Sequence, residues 1–384
     1  MELPPLSSEE IARYSRHLLL PHVGMRGQQL LKSSSVLIIG AGGLGSPIAM
    51  YLAAAGVGRI GLVDYDRVDV SNLQRQVLYT ENDLQAPKAE IAAKRLSAAN
   101  SHIRVDGISG QFNSKNALEI ASGYDILVDG TDNLPTRYLL NDLAVLTNRP
   151  YVYGSIFRFE GQVSVFGLPG QPCYRCLFPE PPPPGAIPSC ASAGVMGVLP
   201  GIIGSIQAAE VIKLITGTGE LLAGRLFLFD ALEMRADTVK IGRKATCPAC
   251  GTAPTIRVLQ DYEAWCGSRI GQEFDLPPTP FDLSPEELKK WLVVKMPVIL
   301  LDVREDFERQ ISNLPNSIHI PLPELPERLD ELPLDVKIIT YCRNGIRSQE
   351  AARMLQLHGF SDVRHLSGGI NAWTAAVDPS LPVY

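Results

Sequence analysis

Residues 36–49, VLIIGAGGLGSPIA, restrict the possible folds of this chain more than any other segment. An apolar run that stops at a glycine turn and resumes as small, helix-forming residues is a strand handing over to a helix. Gly40, Gly42 and Gly45 carry the G-x-G-x-x-G spacing that lets a phosphate approach a helix N-terminus closely. The glycines do not choose the nucleotide, because NAD, FAD and ATP all satisfy them.

The surrounding pattern extends this unit. From Ser35 to about Leu232, apolar strands alternate with helical segments, as in a parallel sheet covered by helices, which makes the fold class α/β. SVLIIG, RIGLVD and DILVDG are the clearest strands, and Gly40, Asp64 and Asp132 fall just past the carboxyl ends of strands, where such sheets bind ligands. RFEGQVSVFG and AGRLFLFDAL read as later antiparallel additions. CLFPEPPPPGAIPSC reads as a long exposed loop, since consecutive prolines remove donors and fix φ. With 384 residues the chain has room for two cores. Periodicity is poor from 252 to 280, read as a linker, so the domains run 1–251 and 281–384. In the second, VILLDV and KIITYC are strands and SQEAARMLQLHGF is an amphipathic helix.

A net charge of −6 argues against a nucleic-acid or anionic-membrane binder. The opening MELPPLSSEEIARYSRHLLL has no secretory character. The longest apolar run, VMGVLPGIIGSIQAAEVIKLI, is interrupted by Pro200, Gln207, Glu210 and Lys213, and reads as a buried helix rather than a bilayer span. The expected location is the cytoplasm, where seven cysteines are reduced, metal-bound or catalytic.

Asp64 lies about twenty residues beyond the glycine turn, a position from which a carboxylate holds ribose hydroxyls. Arg75 and Lys88 add cations near the phosphate end. A triphosphate gains more from them than a hydride carrier does, so ATP is favoured. Asp132 in DGTDN suits Mg²⁺, which takes one or two carboxylates plus phosphate oxygens. Arg16, Arg75 or Lys88 taken singly could be solvated charges, and Asn72 and Gln76 could be loop residues with local hydrogen bonds.

CYRC and CPAC supply two C-x-x-C pairs about seventy residues apart, the pattern of a closed, structural Zn²⁺ site with Cys173, Cys176, Cys247 and Cys250 as ligands. Cys190 stands at the mouth of the proline loop, where it is either a thiol activated by the following helix or an inert buried cysteine. YCRNGIRS is sharper. Cys342 ends a strand, Gly345 lets the chain curl so that backbone N–H groups point inward, a helix starts at about Ser348, and Arg343 and Arg347 add positive charge. Such a loop cradles a thiolate or a persulfide. Cys266 has no such surroundings.

RYSRHLLL, GAGGLGSP, LVDYDRVDVSNLQRQ, DGTDN, GQVSVF, CYRC, AGVMGVLPGIIGSIQA and CPACG together resemble the HesA/MoeB/ThiF adenylyltransferases, relatives of ubiquitin-activating enzymes that activate sulfur-carrier proteins. LLDVRE, HIPLPE, YCRNGIRS and LSGGINAW resemble a rhodanese domain. The resemblance implies a Rossmann-like adenylation domain followed by a smaller α/β rhodanese domain. It implies that Gly42 and Asp64 hold adenosine, Arg75 and Lys88 the phosphates, and Asp132 the Mg²⁺. Gly40, Gly43, Gly45, Asn72, Gln76 and Asn133 complete the nucleotide site. The family works as a homodimer, with Arg16 reaching into the partner's site. By the same resemblance Cys342 would carry the persulfide, and Cys190 occupies the position of an additional cysteine that in relatives links covalently to the carrier. The partners implied are a ubiquitin-like sulfur carrier, as in molybdopterin or thiamine synthesis, and a sulfur donor such as a cysteine desulfurase. An NAD-dependent oxidoreductase would explain the glycines and Asp64 but not Arg75, Lys88 or the Cys342 loop. A regulatory protein with a degenerate nucleotide fold would be expected to lack some of these groups.

Overall fold

The computed structural model describes residues 3–182, 194–266 and 280–384, which fall into two compact units divided at Ile270/Gly271. In the first unit an eight-stranded sheet is built from β1 (Ser35–Ile39), β2 (Arg59–Asp64), β3 (Arg104–Ser109), β4 (Ile126–Asp129), β5 (Tyr151–Phe157), β6 (Glu160–Phe166), β7 (Arg225–Asp230) and β8 (Arg235–Lys240). Their order is β3-β2-β1-β4-β5-β6-β7-β8. The strands from β3 to β5 pair in parallel, and β6, β7 and β8 add antiparallel. Chain order reverses between β1 and β4, the topological switch at which such sheets bind ligands.

The central strands are apolar because both faces are covered. Along β1, Val36 and Ile38 join one core while Leu37 and Ile39 join the other, so the period of two feeds two layers. One layer holds the helices Gly45–Ala55 and Leu199–Thr216, which pack closely because a Cβ on Gly204 would lie 2.6 Å from Pro47. Among the described residues, Leu199–Thr216 is the one helix long and apolar enough to span a bilayer. Here it is a core helix, with Gln207 and Glu210 buried and Gln207 donating 2.7 Å to the Asp129 carbonyl.

The other layer is tied to the cysteine knuckle by a buried ion pair. Arg175, inside the CYRC motif, makes two 2.8 Å bonds to Asp142, and both side chains are buried. The Tyr262 hydroxyl donates 2.6 Å to the same carboxylate, and the guanidinium lies 4.9 Å from the Tyr138 ring centroid and 4.5 Å from that of Trp265. Residues 261–266 therefore belong to the first core, whereas the sequence reading put 252–280 in a linker. A one-turn helix, Tyr262–Trp265, is too short to show periodicity, and its aromatic residues hold it in place.

The second unit carries a five-stranded parallel sheet of β9 (Asp282–Leu283), β10 (Val298–Asp302), β11 (Ile318–His319), β12 (Lys337–Tyr341) and β13 (Val363–Leu366), in the order β11-β10-β12-β13-β9. Ile338 faces one core and Ile339 and Tyr341 the other, so this sheet too is covered on both sides. Arg304 is fully buried and forks onto Asp302 at 2.8 and 2.7 Å.

Removing one partner of a buried ion pair leaves an uncompensated charge, at a cost of about 3–5 kcal/mol. Arg175→Ala should therefore destabilise the first unit by that amount in denaturant unfolding, whereas the double variant Arg175→Met/Asp142→Leu should recover most of the loss.

Candidate functional sites

In the first unit, four strand ends converge on one cavity of about 270 Å³. The turn after β1 brings Gly40, Gly42 and Gly43; the end of β2 brings Asp64; the segments that follow bring Asn72, Arg75, Gln76 and Lys88; and the turn after β4 brings Asp132 and Asn133. Gly45 lies behind the turn. A Cβ there would be 1.9 Å from the Gly40 carbonyl oxygen, so the chain can close only with glycine at this place. Gly40 itself has φ +90°.

The Asp64 carboxylate is already a local brace, accepting from the Ala41 amide at 2.7 Å and the Asp66 amide at 2.8 Å. Burial raises its pKa, and the Lys88 charge offsets this only in part. Each carboxylate oxygen has a second lone pair, which leaves capacity for a ribose hydroxyl. Lys88 is buried at the start of its helix and pairs with Asp66 at 2.9 Å, while Arg75 donates 2.9 Å to the Ser71 carbonyl. Asn133 caps the helix Leu134–Thr147 by accepting from the Thr136 amide at 3.0 Å, which leaves Asp132 exposed at the cavity edge. Gln76 Oε1 is buried without a hydrogen-bond partner among the described residues, in a side chain that lines the cavity. The two cations and the glycine turn fit phosphate oxygens, and the orphaned acceptor fits a ligand hydroxyl or amine donor. Arg16 is exposed on the turn Ser15–Leu18 and does not line this cavity.

Sequence reasoning missed what holds the DGTDN turn. Asp129, fully buried, accepts from the Thr131 amide at 2.9 Å, the Thr131 hydroxyl at 2.7 Å and the Tyr151 hydroxyl at 2.9 Å. Arg137 stands 3.7 Å from it. Burial pushes the Asp129 carboxyl up and Arg137 opposes that. The signal was an aspartate ending an otherwise apolar strand. Phe112 and Ile156, also unassigned, give the cavity apolar walls.

The four expected cysteines meet as one group. Cys173 and Cys247 sulfurs lie 3.6 Å apart, Cys176 and Cys250 sulfurs 3.4 Å apart, and all four within 4.8 Å of one another. A tetrahedral Zn–S bond of about 2.3 Å requires sulfurs about 3.8 Å apart, so the donor set and its size fit such an ion. One helical turn, Tyr174–Leu177, returns Cys176 beside Cys173, and Arg175 on that turn anchors the knuckle. Cys190 lies outside the described residues. Cys266 is a buried core thiol, its pKa pushed up to about 11 by burial.

In the second unit Cys342 follows β12 and is buried. Its sulfur accepts from the Gly345 amide at 3.1 Å, and Gly345, at φ +96°, turns the chain into the helix Ile346–Leu357, two residues earlier than expected. The LSGGINAW segment clamps this loop. Ile370 N–H donates 2.8 Å to the Cys342 carbonyl, and a Cβ on Gly369 would lie 2.4 Å from that oxygen. The arginines are more engaged than the sequence suggested. Arg347 forks onto Glu308 with two 2.6 Å bonds, and Arg343 donates through Nε to the Tyr384 backbone oxygen.

Burial raises the Glu308 carboxyl, but the hydrogen bonds from Arg347 and the Glu305 amide together with the Arg347 and Arg304 charges hold the group below its ordinary 4.5. A depressed carboxyl contributes stability that is fully present above 4.5 and lost as pH falls through the lowered value. Thermal melts of the second unit's transition should thus fall below pH 4.5. Glu308→Gln should lose stability already at pH 6 and show a shallower acid dependence.

Each unit matches a known family. The ThiF family model matches residues 14–249, and the rhodanese-like domain model matches residues 284–376. The chain is 45% identical to the probable adenylyltransferase/sulfurtransferase MoeZ of Mycobacterium tuberculosis, covering 100% of this chain and 99% of that protein. It is 44% identical to the adenylyltransferase and sulfurtransferase MOCS3 of Xenopus laevis, over 99% of this chain and 89% of that one. A sulfur carrier protein adenylyltransferase of Thermus thermophilus is 56% identical over 68% of this chain and 99% of its own length. Among solved structures, E. coli MccB with ATP superposes at a TM-score of 0.56 and 27% identity, over 64% of this chain and 75% of MccB. The chain belongs to the ThiF family, with a rhodanese-like domain following the ThiF domain.

Proposed function

We propose that this enzyme adenylates the C-terminal glycine of a ubiquitin-like sulfur carrier and then delivers sulfur to it from a persulfide on Cys342, giving a thiocarboxylate. The reading is supported by the convergence of Asp64, Arg75, Lys88 and Asp132 on one cavity at the switch point of the first sheet, with a thiol loop at a strand end of the second. The full-length relatives are named for both activities.

ATP would lie with its phosphates against the glycine turn and its adenosine against Asp64, Phe112 and Ile156. Gly40, Gly42, Gly43 and Gly45 shape the turn, Asn72, Arg75, Gln76 and Lys88 surround the phosphates, and Asn133 sets the direction of Asp132. The carrier's carboxylate attacks the α-phosphate and pyrophosphate leaves. A carboxylate nucleophile needs no general base, so the residues act by positioning and charge neutralisation. Asp132 would hold Mg²⁺, which when bound neutralises triphosphate charge. In the second half-reaction the outer sulfur of the Cys342 persulfide attacks the acyl carbon and AMP leaves. A second thiol must then cleave the acyl disulfide. On the covalent link that the position of Cys190 implies, its thiolate would displace AMP first to give a thioester, and the persulfide would then displace that thiolate in place of AMP.

Further assignments belong to this proposal. Zn²⁺ is the ion for Cys173, Cys176, Cys247 and Cys250, with a structural role, since four thiolates leave no open position. A homodimer is supported by exposed Arg16 beside the exposed Leu19 and Leu20. The cytoplasm suits unoxidised thiols, molybdopterin or thiamine carriers fit the family, and a cysteine desulfurase suits as donor.

The two half-reactions should separate by mutation. Asp132→Ala should lower carrier-dependent pyrophosphate exchange at least 100-fold while leaving sulfur transfer from thiosulfate intact, an order of magnitude consistent with loss of charge stabilisation. Cys342→Ala should abolish thiocarboxylate formation, read by mass spectrometry as absence of the oxygen-to-sulfur mass gain, while adenylate still forms. Full exchange in the first variant or thiocarboxylate from the second would sink the reading. Elemental analysis should find one zinc per chain, and Cys173→Ser should lose both the metal and folding stability, because metal binding contributes folding free energy.

A further inference from the structure

Tyr384 occupies a built socket beside the sulfur loop that the chemistry above does not use. Its hydroxyl accepts from Arg304 Nη1 at 2.6 Å and lies 3.4 Å from Glu308 Oε1. The Arg343 guanidinium stands 5.1 Å over the tyrosine ring, and the tyrosine backbone oxygen accepts from Arg343 Nε and, at 3.4 Å, from Asn371 Nδ2. Arg304 is fully buried and its other bonds go to Asp302, the Ser312 carbonyl and, at 3.5 Å from Nη1, the Glu308 carbonyl, so it fixes the hydroxyl rather than following it. Through this socket Tyr384 reaches both arginines flanking Cys342, touching Arg343 itself and meeting Arg347 through Glu308.

Sulfur donors differ in charge. With thiosulfate, the Cys342 thiolate attacks the outer sulfur, the S–S bond breaks, sulfite leaves with the electron pair and Cys342 becomes a persulfide. That donor brings a dianion into the loop and depends on exposed cations. With a persulfide-bearing donor, the same attack releases a thiolate, and much less charge has to be neutralised.

We propose that Tyr384 is a specificity-determining residue for the sulfur donor: its ring covers one face of Arg343 and its hydroxyl braces Glu308 against Arg347, so that a small dianion meets little cationic surface and persulfide donors are preferred. The inference rests on the reading of Cys342 as the persulfide carrier.

The test uses the full chain with cyanide as acceptor and either thiosulfate or glutathione persulfide as donor. Tyr384→Ala should lower KM for thiosulfate about tenfold, the size of one recovered charge-assisted contact, with a smaller change in kcat. The ratio of kcat/KM for thiosulfate over glutathione persulfide should rise accordingly. Adding Arg343→Gln to Tyr384→Ala should remove the gain. An unchanged or higher KM for thiosulfate, an equal change with both donors, or a gain that survives in the double variant would overturn the proposal. Should Tyr384→Ala fail to fold, Tyr384→Phe carries the test, since it keeps the ring, frees Glu308 from the hydroxyl and should still lower that KM about twofold. Cys342→Ala retaining transfer from both donors would instead overturn the underlying reading, whatever Tyr384 does.

Discussion

Three glycine backbones in mutual contact set the geometry of the first unit's site. A Cβ on Gly45 would stand 1.9 Å from the Gly40 carbonyl oxygen, one on Gly130 2.5 Å from the same atom, and one on Gly40 2.7 Å from the Gly130 oxygen. The turn after β1 and the turn after β4 therefore meet without side chains between them. This contact draws the ends of β1 and β4 together at the switch point, and the DGTDN carboxylate reaches the same cavity as the glycine turn because of it. Any larger residue at these places would push the strand ends apart by an ångström or more, which is the scale at which positioning for in-line attack fails.

Behind each site stands a buried polar framework, which is costly to desolvate and whose central carboxylate is hydrogen-bonded through both oxygens. Asp129 with Tyr151, Thr131 and Arg137 holds the adenylation turn, and Asp302 with Arg304, Tyr341 and Tyr384 stands behind the sulfur loop. Neither framework is needed to make a sheet, since apolar residues of similar volume would pack as well. Their effect is directional. Each stands at a loop that leaves a strand end, and each uses a strand-terminal carboxylate. Asp129 ends β4, from which the DGTDN turn leaves, and Asp302 ends β10, the neighbour of β12 from which the sulfur loop leaves. The knuckle follows the same logic, with Arg175 and Asp142 orienting two of the four sulfurs.

Much of this was readable in advance because it is local. Strand-to-helix alternation, the glycine turn, the two C-x-x-C pairs and the loop around Cys342 all depend on residues within a few positions of one another. Other features were not readable. β8 has six exposed residues and almost no apolar signal, and it exists because β7 offers it an edge to pair with. The helix Tyr262–Trp265 sits in a stretch without periodicity and is held by Asp142, 120 residues earlier in the chain. The arginines beside Cys342 looked available as cations, and their engagement by Glu308 and Tyr384 comes from segments 39 and 41 residues away.

The sequence by itself determined which reactive groups this chain brings to which turns: a glycine turn with cations near it, a four-thiol cluster and a cysteine in a tight loop. Those are properties of short-range spacing, and spacing is written in the chain. Tertiary structure alone decided how these groups are oriented and neutralised. Asp64 is braced by Ala41 and Asp66, Asp129 holds Thr131 in the turn that carries Asp132, and Tyr384 stands against Arg343. Such partnerships depend on which distant segments are packed together in the low-dielectric interior, where an unpaired charge is most costly and a paired one is held most firmly.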